Sequence, residues 1–184
     1  SYRVVDSTNQ KPEWHLSGDH TGNLNGKMLV VNGVAETFYV RPITLTQGFV
    51  PGDYPISLYI MNVDTIGLCG AKPLLTVLTF TVEYLSQSNT WVPFVGSPYT
   101  AAAIPQTTKP TWVNVGSIFT MPPLGSFIPK TIKVSISDGT VGGCGNDFAI
   151  DDMKLAFCSS GGPMPVTFMN FTAQQKGSGV SLEW

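Results

Sequence analysis

Apolar and polar residues alternate along most of this chain, and no segment sustains the 3.6-residue period of a helix. LLTVLTFTVEYL (Leu74–Leu85), TIKVSISDG (Thr131–Gly139), ETFYVRPITLT (Glu36–Thr46) and TWVNVGSIFTM (Thr111–Met121) place every second side chain on one face, the signature of strands with one buried side. GKMLVVNG (Gly26–Gly33) reads as a buried strand bracketed by glycines, and Tyr54–Val63 as a strong strand after a QGFVPGD turn. Tyr2–Val5 is a short strand candidate. Lys11–Asn25, Asp64–Lys72 and Ser86–Pro110 read as loops, the last being the longest irregular stretch.

The last strand lies in GGCGNDFAIDDMKLAFC (Gly142–Cys158). Period-two alternation assigns Ala149, Asp151, Met153, Leu155 and Phe157 to one face, and Phe148, Ile150, Asp152, Lys154 and Ala156 to the other. Asp151 interrupts an otherwise apolar face. Either it lies at a solvated strand end or it holds a structural cation, because an unpaired buried carboxylate is costly.

Eight or so strands with turns between them predict an all-β, antiparallel sandwich. Jelly-roll topology is preferred because long crossing loops separate the strands. An immunoglobulin-like sandwich is the runner-up, but it normally fits in ~100 residues and carries a Cys…Trp…Cys pattern absent here. The expected organisation is a jelly roll over 1–158, a linker over 159–165, and over 166–184 either the start of a following β domain or extra strands. Within that tail, Val166–Ala173 and Val180–Trp184 read as strands joined by a KGSG turn. The chain does not begin with Met and shows no signal peptide, so it is read as a mature or excised segment.

Composition narrows the function. Only 12% of the 184 residues are charged and the net charge is −2, with no Lys/Arg run. That excludes nucleic acid and anionic membranes as electrostatic partners. No apolar run approaches the ~18 residues of a membrane span. Catalysis is not expected: the only histidines, His15 and His20, share one loop, there is no GxSxG, and Glu13, Glu36, Glu83 and Glu183 are scattered. His20 reads as a turn residue rather than a ligand.

There are three cysteines, Cys69, Cys144 and Cys158. Cys144 and Cys158 flank one extended strand, roughly 35–45 Å apart, and cannot bridge each other. Cys69–Cys144 is the preferred disulfide because both lie in glycine-flanked loops; the alternative is three free, buried thiols. A disulfide fits an oxidising, extracellular setting. Among the aromatics, Trp112, Tyr54, Phe80 and Phe119 lie in strands and are expected in the core. Trp14, Trp91 and Tyr99 lie in loops and are the candidate glycan contacts, although the ambiguous alternation around Trp91 also allows a core position.

SGDHTGNLNGKMLVVNG (Ser17–Gly33) and GGCGNDFAIDDMKLAFC, in this order, resemble the opening and closing motifs of jelly-roll modules from secreted and surface proteins of gliding bacteria. GDYPISLYIMNV, Cys69-Gly70 and the stretch from Pro110 to Phe119 follow the same family's order of elements over residues 2–158. The two end motifs are also similar to MAM adhesion domains and to carbohydrate-binding modules. The tail resembles a segment that often precedes a type IX sorting domain, although that domain is absent from this sequence.

The resemblance implies a structural calcium, with Asp151 as a ligand, Asp19 of the GDHT turn as a second oxygen donor, and loop carbonyls around Asn25 to Lys27 completing the shell. It also implies O-glycan acceptors at Ser7 and Thr65, in D-S/T-apolar triplets that otherwise read as plain turns. Asn170-Phe171-Thr172 fits an N-glycan sequon, meaningless in a bacterial protein. The expected function is a non-catalytic extracellular module for adhesion or carbohydrate binding, its partner a glycan or a neighbouring surface protein. The alternative is a structural module that joins subunits, as a homo-oligomer or filament, by strand or tail exchange.

Overall fold

The computed structural model of the chain describes residues 1–23, 25–157, 172–176 and 179–183, the last two segments through their backbone only. Among these there is no helix. One sheet runs in the order β1 (Tyr2–Val5), β2 (Met28–Val31), β10 (Phe148–Leu155), β4 (Gly52–Asn62), β8 (Val113–Met121). The other runs β3 (Glu36–Thr44), β9 (Thr131–Asp138), β5 (Leu78–Leu85), β6 (Trp91–Pro93), with β7 (Tyr99–Thr100) also pairing β5. All pairings are antiparallel.

The partners nest: β2 with β10, β3 with β9, β4 with β8, β5 with β6 and β7. This is one long hairpin, its tip between β5 and β6, rolled up so that successive strands fall in alternate sheets. The expected jelly roll is the topology found. Cys158, the 159–165 linker, Asn170 and residues 166–171 lie outside the described residues. β11 (Thr172–Lys176) and β12 (Gly179–Glu183) pair with each other.

Alternation makes the core. β5 and β9 bury every second residue, so Leu78, Phe80, Val82, Ile132, Val134 and Ile136 face Ile56, Leu58, Ile60, Phe119 and Phe148 of the other sheet. Tyr54, Phe80 and Phe119 sit in this core as expected, whereas Trp112 packs, partly buried, against a second cluster. That cluster of Trp14, Met28, Val30, Met61, Val63 and Ala149 lies on the outer side of the β1-β2-β10-β4-β8 sheet, where the loop before β2 folds over it. Burying both faces of a strand requires apolar residues in succession, and Met28, Val30 and Val31 supply them.

The 86–110 stretch is more regular than its composition predicts. Trp91–Pro93 and Tyr99–Thr100 form β6 and β7 on either side of a turn with a cis Ser97-Pro98 bond. Serine, threonine and proline masked two short strands. A second departure lies in β10. Its register shifts between Asp151 and Lys154, and Asp152 takes a φ of 49°. This bulge switches faces. Ala149 lies in the outer cluster, yet Met153, Leu155 and Phe157 pack into the main core with Phe148 and Ile150. The five residues that simple alternation assigned to Asp151's face are therefore divided between two faces.

Asp147, just before β10, ties the covering loop to the sheet. It is 5% exposed. Its Oδ2 accepts from Lys11 Nζ at 2.9 Å and Trp14 Nε1 at 3.1 Å, and its Oδ1 from the Gly33 amide at 3.0 Å. Its own amide donates to Asp64 Oδ2 at 3.0 Å. Position 33 admits only glycine, since a Cβ there would lie 2.1 Å from the Asn146 carbonyl oxygen. Cys69 and Cys144 form a disulfide, Cα atoms 5.4 Å apart, that joins the loop after β4 to the turn before Asn146. Asp147→Ala leaves a buried indole N–H and a buried backbone amide without their acceptor and frees the part-exposed Lys11 ammonium to water, and should cost about 2–3 kcal/mol in chemical denaturation. Asp6→Asn, which breaks the exposed pair with Lys27, should leave the same curve unchanged.

Candidate functional site

The outer face of the β3-β9-β5-β6 sheet carries no covering loop among the described residues. Alternation brings Thr131, Lys133, Ser135 and Ser137 of β9 to this face, beside Thr79, Thr81 and Glu83 of β5 and Thr37, Val40, Pro42 and Thr44 of β3. Hydroxyls pair across strands: Thr79 with Thr100 and Thr44 with Thr131, each at 3.0 Å. At the β6 edge stands Trp91, 37% exposed. Its neighbour Val92 packs toward the core opposite Tyr84, so alternation turns the indole outward. Lys133 Nζ lies 4.4 Å from the centre of the indole ring and 2.7 Å from Glu83 Oε2. The face therefore offers an aromatic plate, a part-shielded ion pair and a field of hydroxyls. This combination is chemically complementary to a neutral, polyhydroxylated molecule: C–H surface against the ring, and hydroxyl groups against paired donors and acceptors.

Of the other two expected contacts, Trp14 is 9% exposed, within the outer cluster, with its indole N–H committed to Asp147. Tyr99 packs against the main core, 6.3 Å from the ring of Phe80. Neither presents a ring face as the loop reading expected. Trp14 is held by the hydrophobic outer face of the sheet, and Tyr99 by β7 pairing. The neighbouring Lys133 and Glu83 were not foreseen as site residues. The signal was present in their alternation with Ile132, Val134, Val82 and Tyr84, but their proximity to Trp91 depends on strand order.

The carboxylates expected to hold a cation do converge. Asp151 faces the covering loop, where its Oδ2 accepts from the His20 amide at 2.9 Å and its Oδ1 from the Asp152 amide at 2.8 Å. Burial first, then the charges of Asp152 and Asp19, raise its carboxyl above the ordinary 3.8 against those hydrogen bonds. Asp19 is buried, its Oδ2 bonded to the Thr21 hydroxyl and its Oδ1 without a partner. Gly26 presses so close that a Cβ would lie 2.0 Å from Asp19 Oδ2. The side chain of Asn25 is exposed and that of Lys27 pairs with Asp6, so these residues have only backbone carbonyls to offer.

An orphaned, buried carboxylate oxygen beside a second desolvated carboxylate and close-packed backbone fits a hard cation with oxygen ligands. Among the described residues no three His, Cys, Asp or Glu side chains converge as a metal site, so carbonyls would have to complete the shell. His20 does more than turn the chain. Its ring stacks on Tyr59 at 3.4 Å and its Nδ1 lies 2.7 Å from Asp152 Oδ2. The two expected O-glycan acceptors lie in turns: Ser7 Oγ accepts from the Asn9 amide at 3.3 Å, and Thr65 Oγ1 donates to the Glu13 carbonyl at 3.0 Å.

No family model matches the chain, and no curated protein does. Among solved structures it is similar to the CBM22-1 xylan-binding domain from Paenibacillus barcinonensis Xyn10C, at 16% identity over 84% of this chain and 80% of that one, TM-score 0.45. It is also similar to the CBM22-1-GH10 modules of Clostridium thermocellum Xyn10B complexed with xylohexaose, at 13% identity over 86% of this chain and 25% of that one, TM-score 0.46. A third is the carbohydrate binding module CBM6cm-2 from Cellvibrio mixtus lichenase 5A in complex with cellotriose, at 14% identity over 82% of this chain and 96% of that one, TM-score 0.36.

The raised Asp151 carboxyl has a definite sign. The folded chain holds that proton more tightly than the unfolded one, so in chelator its contribution to stability falls as pH rises from 3.8 through the folded-state value. Asp151→Asn should melt above the parent protein at pH 7 in chelator, and the gap should close toward pH 4.

Proposed function

We propose that this chain is a non-catalytic carbohydrate-binding module whose glycan face is the open side of the β3-β9-β5-β6 sheet. The observation that carries this reading is Trp91, exposed at the edge of a hydroxyl-lined sheet face beside the Lys133–Glu83 pair. An uncharged glycan suits the face because its only charges already neutralise each other. An extracellular setting is supported by the Cys69–Cys144 disulfide. Delivery by a type IX route rests on the resemblance of the end motifs and tail alone.

A calcium ion belongs to the same proposal. It would be held by Asp19 and Asp151 with backbone carbonyls of Asn25 and Lys27, and would fasten the covering loop to β10 at some distance from the glycan face. The assembly alternative is favoured by one observation, that β8 is an edge strand of its sheet, bridged by Val95 at Thr120, and carries no Lys or Pro to blunt the rest.

Two measurements test these readings. A glycan array with calcium present should return neutral polysaccharides, and Trp91→Ala should weaken the best of them at least about tenfold, ~1.4 kcal/mol. An array with no hits, or unchanged binding by the variant, removes the sheet face from consideration. Separately, chelator should lower the melting temperature and calcium restore it by mass action. Asp19→Asn should abolish the calcium response. Superimposable melts with and without calcium would sink the cation proposal.

A further inference from the structure

On the opposite side of the sandwich, where the covering loop meets β1 and β2, the surface carries a half-open cleft of about 210 Å³. Its apolar lining is the exposed Tyr2 with the edges of the buried Trp14 and Val30, and its polar lining includes Arg3, Gln10 and Asn32. Trp14 is fixed by its N–H bond to Asp147, so it forms a rigid wall rather than a mobile side chain. Lys11 crosses the ring face, Nζ 4.6 Å from the centroid, but its charge is matched by Asp147 at 2.9 Å. Arg3 is exposed and makes no ion pair among the described residues. The cleft therefore carries the unpaired Arg3 guanidinium, whose planar fork best matches a carboxylate, beside the Ser1 ammonium, which donates to the Asn32 carbonyl at 3.4 Å. Gln10 uses its amide nitrogen on the Ser7 carbonyl at 3.4 Å, which leaves its carbonyl oxygen to accept.

We propose that this cleft is a second binding site, distinct from the Trp91 face, for a single carboxylate-bearing sugar unit, a uronic acid residue. Each part of such a molecule meets a complementary group. The carboxylate faces Arg3, the C–H face of the pyranose lies against the exposed Tyr2 ring and the edge of Trp14, and the hydroxyls meet the Gln10 and Asn32 amides. A neutral sugar would shield Arg3 from water without pairing it, which is unfavourable. A bare carboxylate or phosphate would leave the apolar wall unused. The site depends neither on the sheet face nor on the cation reading, since it shares no residue with them.

The probe is free glucuronate or galacturonate, titrated into the isotopically labelled chain and followed by amide chemical shifts. Glucose, acetate and inorganic phosphate serve as comparisons at equal ionic strength. The expected result is saturable movement of the amides of residues 2–3, 10–11 and 32 with uronate, weakening as salt is raised. Arg3→Gln should reduce the affinity at least about tenfold, while Trp91→Ala leaves it unchanged. Gln10→Ala, whose side chain reaches only a surface carbonyl, provides a second variant that weakens binding without touching β1. Uronate that moves none of these amides, glucose that moves them equally, acetate or phosphate that binds as tightly as uronate, or parental affinity in the two cleft variants would each overturn the proposal.

Discussion

A buried carboxylate must be surrounded by donors, and in this fold Asp147 sets where those donors stand. It takes an ammonium, an indole N–H and a glycine amide within 3.1 Å, from segments that begin more than a hundred residues earlier. Removing any one donor leaves a buried carboxylate with part of its hydrogen bonding unmet, so the arrangement is specified as a unit. Three elements depend on it: the covering loop through Lys11 and Trp14, the exit of β2 through Gly33, and the entry of β10 through Asp147 itself. Asp64, whose carboxyl burial raises above the usual 3.8, closes the ring by accepting the Asp147 amide. The disulfide acts on the same region from outside. In the chain-entropy account, a closure spanning 75 residues stabilises by about 4 kcal/mol, and it acts on the turn before β10, where Asn62 and Thr76 also donate to the Gly145 and Asn146 carbonyls.

Below Asp147 the bulge at Asp152 resolves a conflict built into β10. The first half of the strand is covered on both sides, by the main core and by the loop, so Phe148, Ala149 and Ile150 are all buried. The second half has lost the loop, and only the inner face needs apolar residues. Continued alternation would have pushed Met153, Leu155 and Phe157 outward with Asp151. One residue in the left-handed region returns them to the core, where Phe157 lies 4.9 Å from Tyr54. The same backbone step brings the Asp152 carboxylate to His20, which is stacked on Tyr59. Packing thus accounts for the unfavourable φ at a non-glycine residue, and the acidic pair marks the point where the strand changes from two covered faces to one.

The fold was legible because β5 and β9 alternate throughout, and β4 as far as Ile60, and the buried residues of these runs are the main core in fact. The disulfide pairing chosen from loop positions is the one formed. What was not legible depended on distance along the chain. Asp147 looks like part of a glycine-rich turn until Lys11, Trp14 and Gly33 are brought to it. The bulge at Asp152 has no local marker, since aspartate there reads equally well as a surface residue. β6 and β7 were hidden by Ser, Thr and Pro because edge strands with an open face do not need apolar runs. Trp14, Trp91 and Tyr99 were indistinguishable as loop aromatics. Which of them faces solvent was decided by the partner strand: Trp91 stands opposite Leu85, and Tyr99 opposite Phe80.

The two outer faces of the sandwich have consequently diverged. Covering the β1-β2-β10-β4-β8 sheet gives the chain a second apolar cluster, the Asp147 network and the Asp19–Asp151 pair, all of which bear on stability. Leaving the other sheet bare has the opposite requirement: its outward residues must be content in water. Threonine and serine satisfy it, because they suit strands and carry hydroxyls that pair with each other across the sheet. Trp91, the one exposed tryptophan among the described residues, would be a liability on such a face without support. Lys133 over its ring, itself held by Glu83, restrains it in place, and a restrained aromatic side chain loses less entropy on binding than a free one. The low charge of the chain and the hydroxyl content of this sheet leave a face whose outward groups pair chiefly with one another and with water.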